Sequence, residues 1–191
     1  PPPRAPPPDG GAPPRGHFLL PPGLHPGDYL QGALYLAQPR RAARAGGLLA
    51  ASIRTAELAP DIVVAPAMGG LIIGHETARA LELPFLFTER ADGDMVLRRG
   101  FGIAPGQRVV VIEDVVTTGK STREVIAILG DLGAVVVGVG SLVNRSGRPT
   151  PFDPLPSRHL VTADFPTWTA DECPLCREGV PIAKPGSRPI T

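Results

Sequence analysis

Lysine is nearly missing from this chain: Lys120 and Lys184 are the only two among 19 lysine and arginine residues. Chemistry that needs a titratable ammonium has few candidates, because arginine keeps its proton at neutral pH. Cysteine is as scarce, with Cys173 and Cys176 alone, in the stretch CPLC. A lone CxxC is half a zinc site or a redox pair. There is no second cysteine pair and no His-x-x-x-His; His159 could in principle add a third ligand. Four ligands are the rule for structural zinc, so reduced structural thiols in a C-terminal turn are the expectation. His17, His25 and His75 have no metal-ligand spacing and are read as surface or packing residues. No protein metal ligand is assigned.

Charge and long apolar runs are also in short supply. A net charge of +1 gives no basic stripe of the kind a nucleic-acid surface needs. No stretch approaches the ~20 apolar residues that cross a bilayer. The opening PPPRAPPPDGGAPPR lacks the apolar run of a signal peptide and reads as a disordered, Pro-rich tail over residues 1–15. No nucleic-acid partner, no membrane and a cytoplasmic location are the corresponding expectations.

What is present is an alternation of strands and helices. Residues 16–31 (GHFLLPPGLHPGDYLQ) hold short apolar runs split by Pro and Gly. Residues 39–57 read as a helix with Pro39 in its first turn. Ile62–Ala65 is a β-branched run suited to a buried parallel strand; a glycine-bearing turn over 66–70, a helix over 71–81 and a strand over 85–87 follow. Met68 is assigned to the core. Thr88–Gln107 is polar and longer than usual connections, as lids often are, with a possible hairpin around Met95–Leu97. Arg108–Ile112 is the strongest strand signal. Val125, Ile128, Leu129 and Leu132 then give one apolar helix face, Ala134–Val143 a buried strand, and 159–163 a last short one. Such alternation predicts a Rossmann-like central parallel sheet with helices on both faces. Ligands bind at the carboxyl ends of strands in such sheets, here the turns 66–70, 113–121 and 144–147.

The stretch VVVIEDVVTTGKST, Val109–Thr122, ends like a nucleoside-triphosphate loop, but the glycine five positions ahead of Gly119-Lys120 is replaced by Asp114. A carboxylate there repels the phosphate such a loop cradles, so the ATPase reading is poor. The order strand, two acids, two apolar residues, Thr-Thr-Gly-Lys-Ser, helix suits another ligand. Amides at a helix N-terminus favour a phosphate monoester. Gly119 allows close approach and φ > 0. Glu113 and Asp114, upstream, can accept hydrogen bonds from vicinal hydroxyls or hold Mg²⁺ directly or through water. Phosphate, sugar diol and metal in sequence describe a 5-phosphoribosyl ligand.

EDVVTTGKS resembles the phosphoribosyl-diphosphate signature of the type I phosphoribosyltransferases. GHFLLPPGLHPGDYLQ, VAPAMGGLIIGHETARAL, PFLFTER…LRRGF, LVNRSG and ECPLCREGVP, over 16–188, resemble the orotate branch. The resemblance implies the type I fold, with a small N-terminal hood and a flexible lid loop. It implies one domain over 16–191, with a hood from 16–38 plus the C-terminal segment and a core over 39–165. It implies transfer of ribose 5-phosphate to N1 of orotate, with loss of pyrophosphate, Mg²⁺ as cofactor held mainly by the substrate diphosphate, and a homodimer. Glu113, Asp114, Val115, Val116, Thr117, Thr118, Gly119, Lys120 and Ser121 would bind phosphoribosyl diphosphate, with Gly69 of the 67–70 loop and Arg90 at the diphosphate. Thr117, Arg145, Tyr29 and Leu30 would meet orotate. Asp114, Glu113 and Arg90 are the catalytic candidates.

The chain departs from the pattern of familiar members. Gly69 and Pro21 stand where those have lysines, and the lid has arginines but no lysine or histidine. Arg98 and Arg99 are equally readable as a solvated hairpin or a diphosphate clamp, and Lys120 as a solvated side chain or a point charge beside phosphate. Transfer to another base, or a non-catalytic sensor of phosphoribosyl diphosphate, stays open as an alternative.

Overall fold

The computed structural model describes residues 16–19, 23–27, 32–163 and 166–183. The chain divides into two compact units, Tyr35–Ala163 and the two terminal segments taken together. In chain order the elements are β1 (His17–Phe18), β2 (His25–Pro26), α1 (Gly32–Leu36), α2 (Pro39–Thr55), β3 (Ile62–Pro66), α3 (Gly70–Leu81), β4 (Phe85–Ala91), β5 (Asp94–Val96) and β6 (Arg108–Val116). They continue with α4 (Lys120–Asp131), β7 (Val135–Asn144), β8 (Ser157–Thr162), β9 (Thr167–Trp168), α5 (Pro174–Arg177) and β10 (Ile182–Ala183). Among the described residues no helix is long and apolar enough to cross a membrane.

The larger unit is built on a six-stranded sheet in the order β5-β4-β3-β6-β7-β8. All neighbours are parallel except the β4–β5 hairpin. Alternation along the strands sends successive side chains to opposite faces. Val64, Val109, Val111 and Val139 pack with Val125 and Leu129 of α4. On the other face α3 lies so close to β3 that a β-carbon on Gly74 would be 2.8 Å from that of Ala65. Pro39 starts α2, and its buried stripe is Ala42, Ala45, Gly46, Leu49, Ala50 and Ile53, the spacing of one helix face. Leu49 reaches the sheet beside Ile112, both of them lining the position where Gly140 carries no side chain. The sheet is thus covered on both sides, which is why its central strands are almost continuously apolar.

Two predicted boundaries shift, each for a physical reason. β6 runs to Val116 rather than stopping at Ile112, because pairing with β7 continues through Val115↔Val143 and Val116↔Asn144. The acids therefore stand inside the strand, near its end. β4 likewise extends to Ala91 and folds back through Asp92-Gly93, with φ of 52° and 95°, into β5. Positive φ at both central residues is the hairpin turn that Asp-Gly favours. Much of the presumed lid loop is consequently a β-hairpin whose Met95 is buried in the core. Met68, assigned to the core from sequence, is instead 81% exposed in the turn after β3.

The smaller unit has two minimal ladders. β1 pairs in parallel with β10, and β2 antiparallel with β9. Its deeply buried described side chains are few: Phe18, His17, His25 and Cys173.

Candidate active site

β3 and β6 are neighbours, but β3 leads through α3 to β4 on one side while β6 leads through α4 to β7 on the other. The chain therefore turns opposite ways from adjacent strand ends, and a crevice at that switch point is where open parallel sheets bind ligands. Two turns border it: 67–69, containing the cis Ala67–Met68 peptide, and 117–119 ahead of α4.

The acids sit between these turns. Glu113 is buried and aligned with Ser141 of β7. One of its oxygens accepts the Asp114 amide at 3.1 Å, and the Asp114 carboxylate accepts the Val115 amide at 2.7 Å. Burial, and then the adjacent Asp114 charge, hold the Glu113 carboxyl well above the usual carboxylate range; a hydrogen bond from Thr122 opposes this only in part. Asp114 is half-buried and faces the other turn. A β-carbon at Gly69 would lie 2.6 Å from both its carboxylate oxygens, so bare backbone and carboxylate are in contact there. α3 begins at the next residue, which puts this anion near the helix's positive end.

The 117–121 segment forms a second polar surface. Thr117 and Thr118 are exposed, Gly119 has φ of 73°, and α4 starts at Lys120 with no side-chain cap and no acid in its first turn. Backbone N–H groups at such an end, together with the helix dipole, attract an anion. The turn is held from behind by Arg123. That guanidinium donates to the Thr118 carbonyl at 2.6 Å and the Pro151 carbonyl at 3.0 Å, and lies 5.4 Å over the Phe152 ring. Gly119 is wedged against the same two residues: a β-carbon would be 2.7 Å from Arg123 Nη1 and 2.9 Å from Phe152.

Cations lie on this segment and on neighbouring elements, each engaged by protein. Arg90, on β4, donates to Glu124 of α4 and to the Gly93 carbonyl. Lys120 is 3.9 Å from the other oxygen of Glu124, with its side chain 77% exposed. Arg98 and Arg99 both bond to Glu89, whose carboxyl they pull down to about 2. Arg145 is half-buried after β7, its N–H on the Val116 carbonyl at 2.7 Å. Buried Asn144 shapes the loop beyond, accepting from the Ser146 amide and hydroxyl and donating to the Arg148 carbonyl.

The structure thus gathers Gly69, Glu113 and Asp114 at one strand-end crevice, and Val115 to Ser121 continue from it into α4. Arg90 stands at the first turns of α4. Tyr29, Leu30 and Pro21 lie outside the described residues. Sequence reasoning passed over Arg123 and Glu124, which read as ordinary exposed helix residues. It also dispersed His17, His25, Cys173 and Cys176, which the smaller unit brings together. His159, considered with the cysteines, belongs to the larger unit, where it bonds Ser141 at 2.7 Å.

A phosphoribosyl transferase domain model matches residues 32–174. The chain is 46% identical over 173 residues to a protein of Carboxydothermus hydrogenoformans named orotate phosphoribosyltransferase, covering 91% of this chain and 90% of that one. It is 44% identical over 178 residues to a Thermotoga maritima protein of the same name, covering 93% and 94%. Among solved structures, orotate phosphoribosyltransferase from Aeropyrum pernix superposes with a TM-score of 0.63 at 26% identity, over 78% of this chain and 86% of that chain. A domain match spanning most of the chain, near-full-length relatives and a shared fold agree: this chain belongs to the phosphoribosyltransferase family, in the branch of the orotate phosphoribosyltransferases.

Proposed function

We propose that the protein is an orotate phosphoribosyltransferase that makes orotidine 5′-phosphate and pyrophosphate from orotate and phosphoribosyl diphosphate, a step of pyrimidine biosynthesis. One observation carries the reading: Asp114, held at the β3–β6 switch point against the bare backbone of Gly69, leads directly into an uncapped helix end. That arrangement suits a ribose diol beside a phosphate monoester, and the relatives' names supply the acceptor.

In this reading the amides and hydroxyls of Thr117, Thr118, Gly119, Lys120 and Ser121 hold the 5-phosphate. Asp114, the more accessible acid, accepts from the ribose hydroxyls, with Glu113 behind it. The 67–70 loop faces the diphosphate, and Arg90 leaves Glu124 to meet it. Arg145 takes the orotate carboxylate, since a guanidinium fork matches a planar carboxylate. Thr117 is a further orotate contact; Tyr29 and Leu30, assigned to orotate from the sequence, lie outside the described residues. N1 of orotate bonds to the anomeric carbon as the bond to the diphosphate oxygen breaks, and the N1 proton passes to solvent. No protein nucleophile is needed; positioning and electrostatics lower the barrier.

The donor set also suits Mg²⁺. Oxygen ligands are what this ion prefers, and a dication would favour the ionised form of Glu113, against the burial that raises its pKa. Held by Glu113 and Asp114, directly or through water, and by the donor's own diphosphate, Mg²⁺ would offset the negative charge that grows on the leaving group. A cytoplasmic homodimer, with the hood-and-core division stated above, completes the proposal.

The test follows orotate absorbance with phosphoribosyl diphosphate and Mg²⁺. Orotate should disappear, and adenine, hypoxanthine or uracil should not be consumed. Turnover of a neutral base would reassign the acceptor, and donor binding without turnover would make the protein a sensor. The double substitution Glu113→Gln with Asp114→Asn should weaken donor use roughly 10–100-fold, the size of losing charge-assisted hydrogen bonds. Unchanged kinetics would remove the basis of the assignment.

A further inference from the structure

We propose that His17, His25, Cys173 and Cys176 form a closed, four-ligand structural site for zinc(II) in the smaller unit. One ligand atom from each of the four lies within 4.8 Å of every other. His17 Nε2 is 3.5 Å from Cys173 Sγ and 3.6 Å from Cys176 Sγ, and Cys176 Sγ is 3.2 Å from His25 Nδ1. Tetrahedral zinc, with bonds of ~2.0 Å to nitrogen and ~2.3 Å to sulfur, sets ligand atoms about 3.3–3.8 Å apart. The two imidazole nitrogens, 2.8 Å apart, would have to separate by about half an ångström on the same geometry, and the widest pair of the set, within 4.8 Å, would draw in.

The tautomer of His17 is settled by its outer contact. Its Nδ1–H donates to the Val180 carbonyl at 2.7 Å, leaving Nε2 with a lone pair turned inward. Metal-bound histidines commonly use the second ring nitrogen in this way. That single lone pair faces three groups, the His25 nitrogen and both thiols, and it can accept from only one of them. A cation at their centre satisfies all four at once. The surrounding turn is built to the same end. Pro174 starts α5 directly after Cys173, and amides of Gly179 and Val180 return to the carbonyls of Cys176 and Leu175. This closure is what carries the Val180 carbonyl to His17.

A redox role fits the same residues poorly. An exchange-active CxxC needs an accessible thiolate, whereas Cys173 is fully buried. With four protein ligands no coordination position stays open for substrate, the mark of a structural rather than a catalytic site. The consequence is mechanical. His25 and Cys176 are 151 positions apart, so the ion would clip the two ends of the chain into one unit. A unit with little apolar core and two-residue strands is the kind that needs a metal or a disulfide to hold its fold.

The experiment uses the full chain, purified without an affinity tag and without chelator, with metal measured by plasma mass spectrometry. One zinc per chain is expected. Cobalt(II) exchanged into the site should give tetrahedral ligand-field bands with thiolate charge transfer, and X-ray absorption of the zinc protein should fit two sulfur and two nitrogen ligands. Cys176→Ser and His25→Ala should each abolish stoichiometric zinc, while His75→Ala, on the exposed side of α3, should retain it. Should the first two variants misfold, the absorption data on the unaltered protein still decide. A purified chain whose two thiols react freely and take up no added zinc, or one with a Cys173–Cys176 disulfide, would overturn the proposal. So would zinc bound with any other ligand set. None of these readouts depends on catalysis, so the site stands or falls apart from the proposed reaction.

Discussion

Gly69 and Asp114 touch across the gap between two strand ends: any β-carbon at position 69 would sit 2.6 Å from both oxygens of the Asp114 carboxylate. The familiar lysine of this turn therefore cannot simply be restored here. Gly69→Ala must displace either the 67–70 loop or the carboxylate. If Asp114 orients the ribose, a shift of about 1 Å costs on the order of 100-fold in kcat/KM. Gly69→Lys should be no better, despite returning the charge. Steady-state kinetics of both variants check this, and a more active Gly69→Lys enzyme would mean that Asp114 has freedom the contact does not suggest.

Glu113 makes stability depend on pH in a direction opposite to most carboxylates. Its folded pKa is raised above the ordinary value of 4.5, first by burial and then by Asp114. Above the unfolded value the unfolded chain binds fewer protons at this site than the native one, so stability falls as pH rises. The contribution is fully present below about pH 4.5 and is lost progressively above it, up to the folded value. Glu113→Gln mimics the protonated form and removes this loss. In the absence of Mg²⁺ and ligands, the variant's melting temperature should match the parent's near pH 4 and exceed it by a growing margin as pH rises above about 4.5. A difference that stays constant across this range would contradict the burial argument.

Arg123 touches no proposed substrate atom, yet it ties the Thr118 carbonyl to the Pro151 carbonyl and closes over Phe152. It is a positioning residue for the 117–119 turn proposed to hold the 5-phosphate. Arg123→Met keeps much of the stem and removes the fork. The KM for phosphoribosyl diphosphate should rise roughly 10-fold or more, as for loss of hydrogen bonds from a charged group, while the KM for orotate changes little. Arg123→Lys should recover part of the effect, since one ammonium can replace one of the two contacts. Equal changes in both KM values would point to general loosening instead.

The sheet was legible because its strands are β-branched and its helices amphipathic: Arg108–Ile112 and the Val125, Ile128 and Leu129 part of the α4 face needed no tertiary information. Leu132, assigned to that face, lies past the helix end and is exposed. The acids and the Thr-Thr-Gly turn were legible for a related reason, since one strand-turn-helix unit carries the proposed donor-binding residues in order. Contacts between separate segments were not. Nothing local marks Gly69 as the neighbour of Asp114, or Arg123 as the anchor of Thr118. Met68 is apolar and follows a buried strand, but its backbone belongs to a tight turn that leaves the side chain outside. The hairpin read around Met95–Leu97 is present, but its turn is Asp92-Gly93, a few residues earlier. His17 and His25 lie on two-residue strands too short for any periodicity, and their thiol neighbours come from the far end of the chain.

Arginine in place of lysine has a kinetic signature. Arg90 is bonded to Glu124 and the Gly93 carbonyl, and the nearby Lys120 is largely exposed with a weak 3.9 Å approach to Glu124. Arginine stays protonated to beyond pH 12 and cannot deliver a proton to pyrophosphate. The proton then comes from solvent water, and kcat/KM should show no group titrating in the lysine range near pH 10. Lys120→Ala should raise the KM for phosphoribosyl diphosphate by no more than a few-fold, the scale of an exposed charge contact, with kcat unchanged. Arg90→Ala should lower kcat much further, and Arg90→Lys should restore only part, because the ammonium lacks the fork that spans diphosphate oxygens. A lysine-like ionisation that vanishes in Lys120→Ala would instead make Lys120 the acid and leave Arg90 as a charge alone.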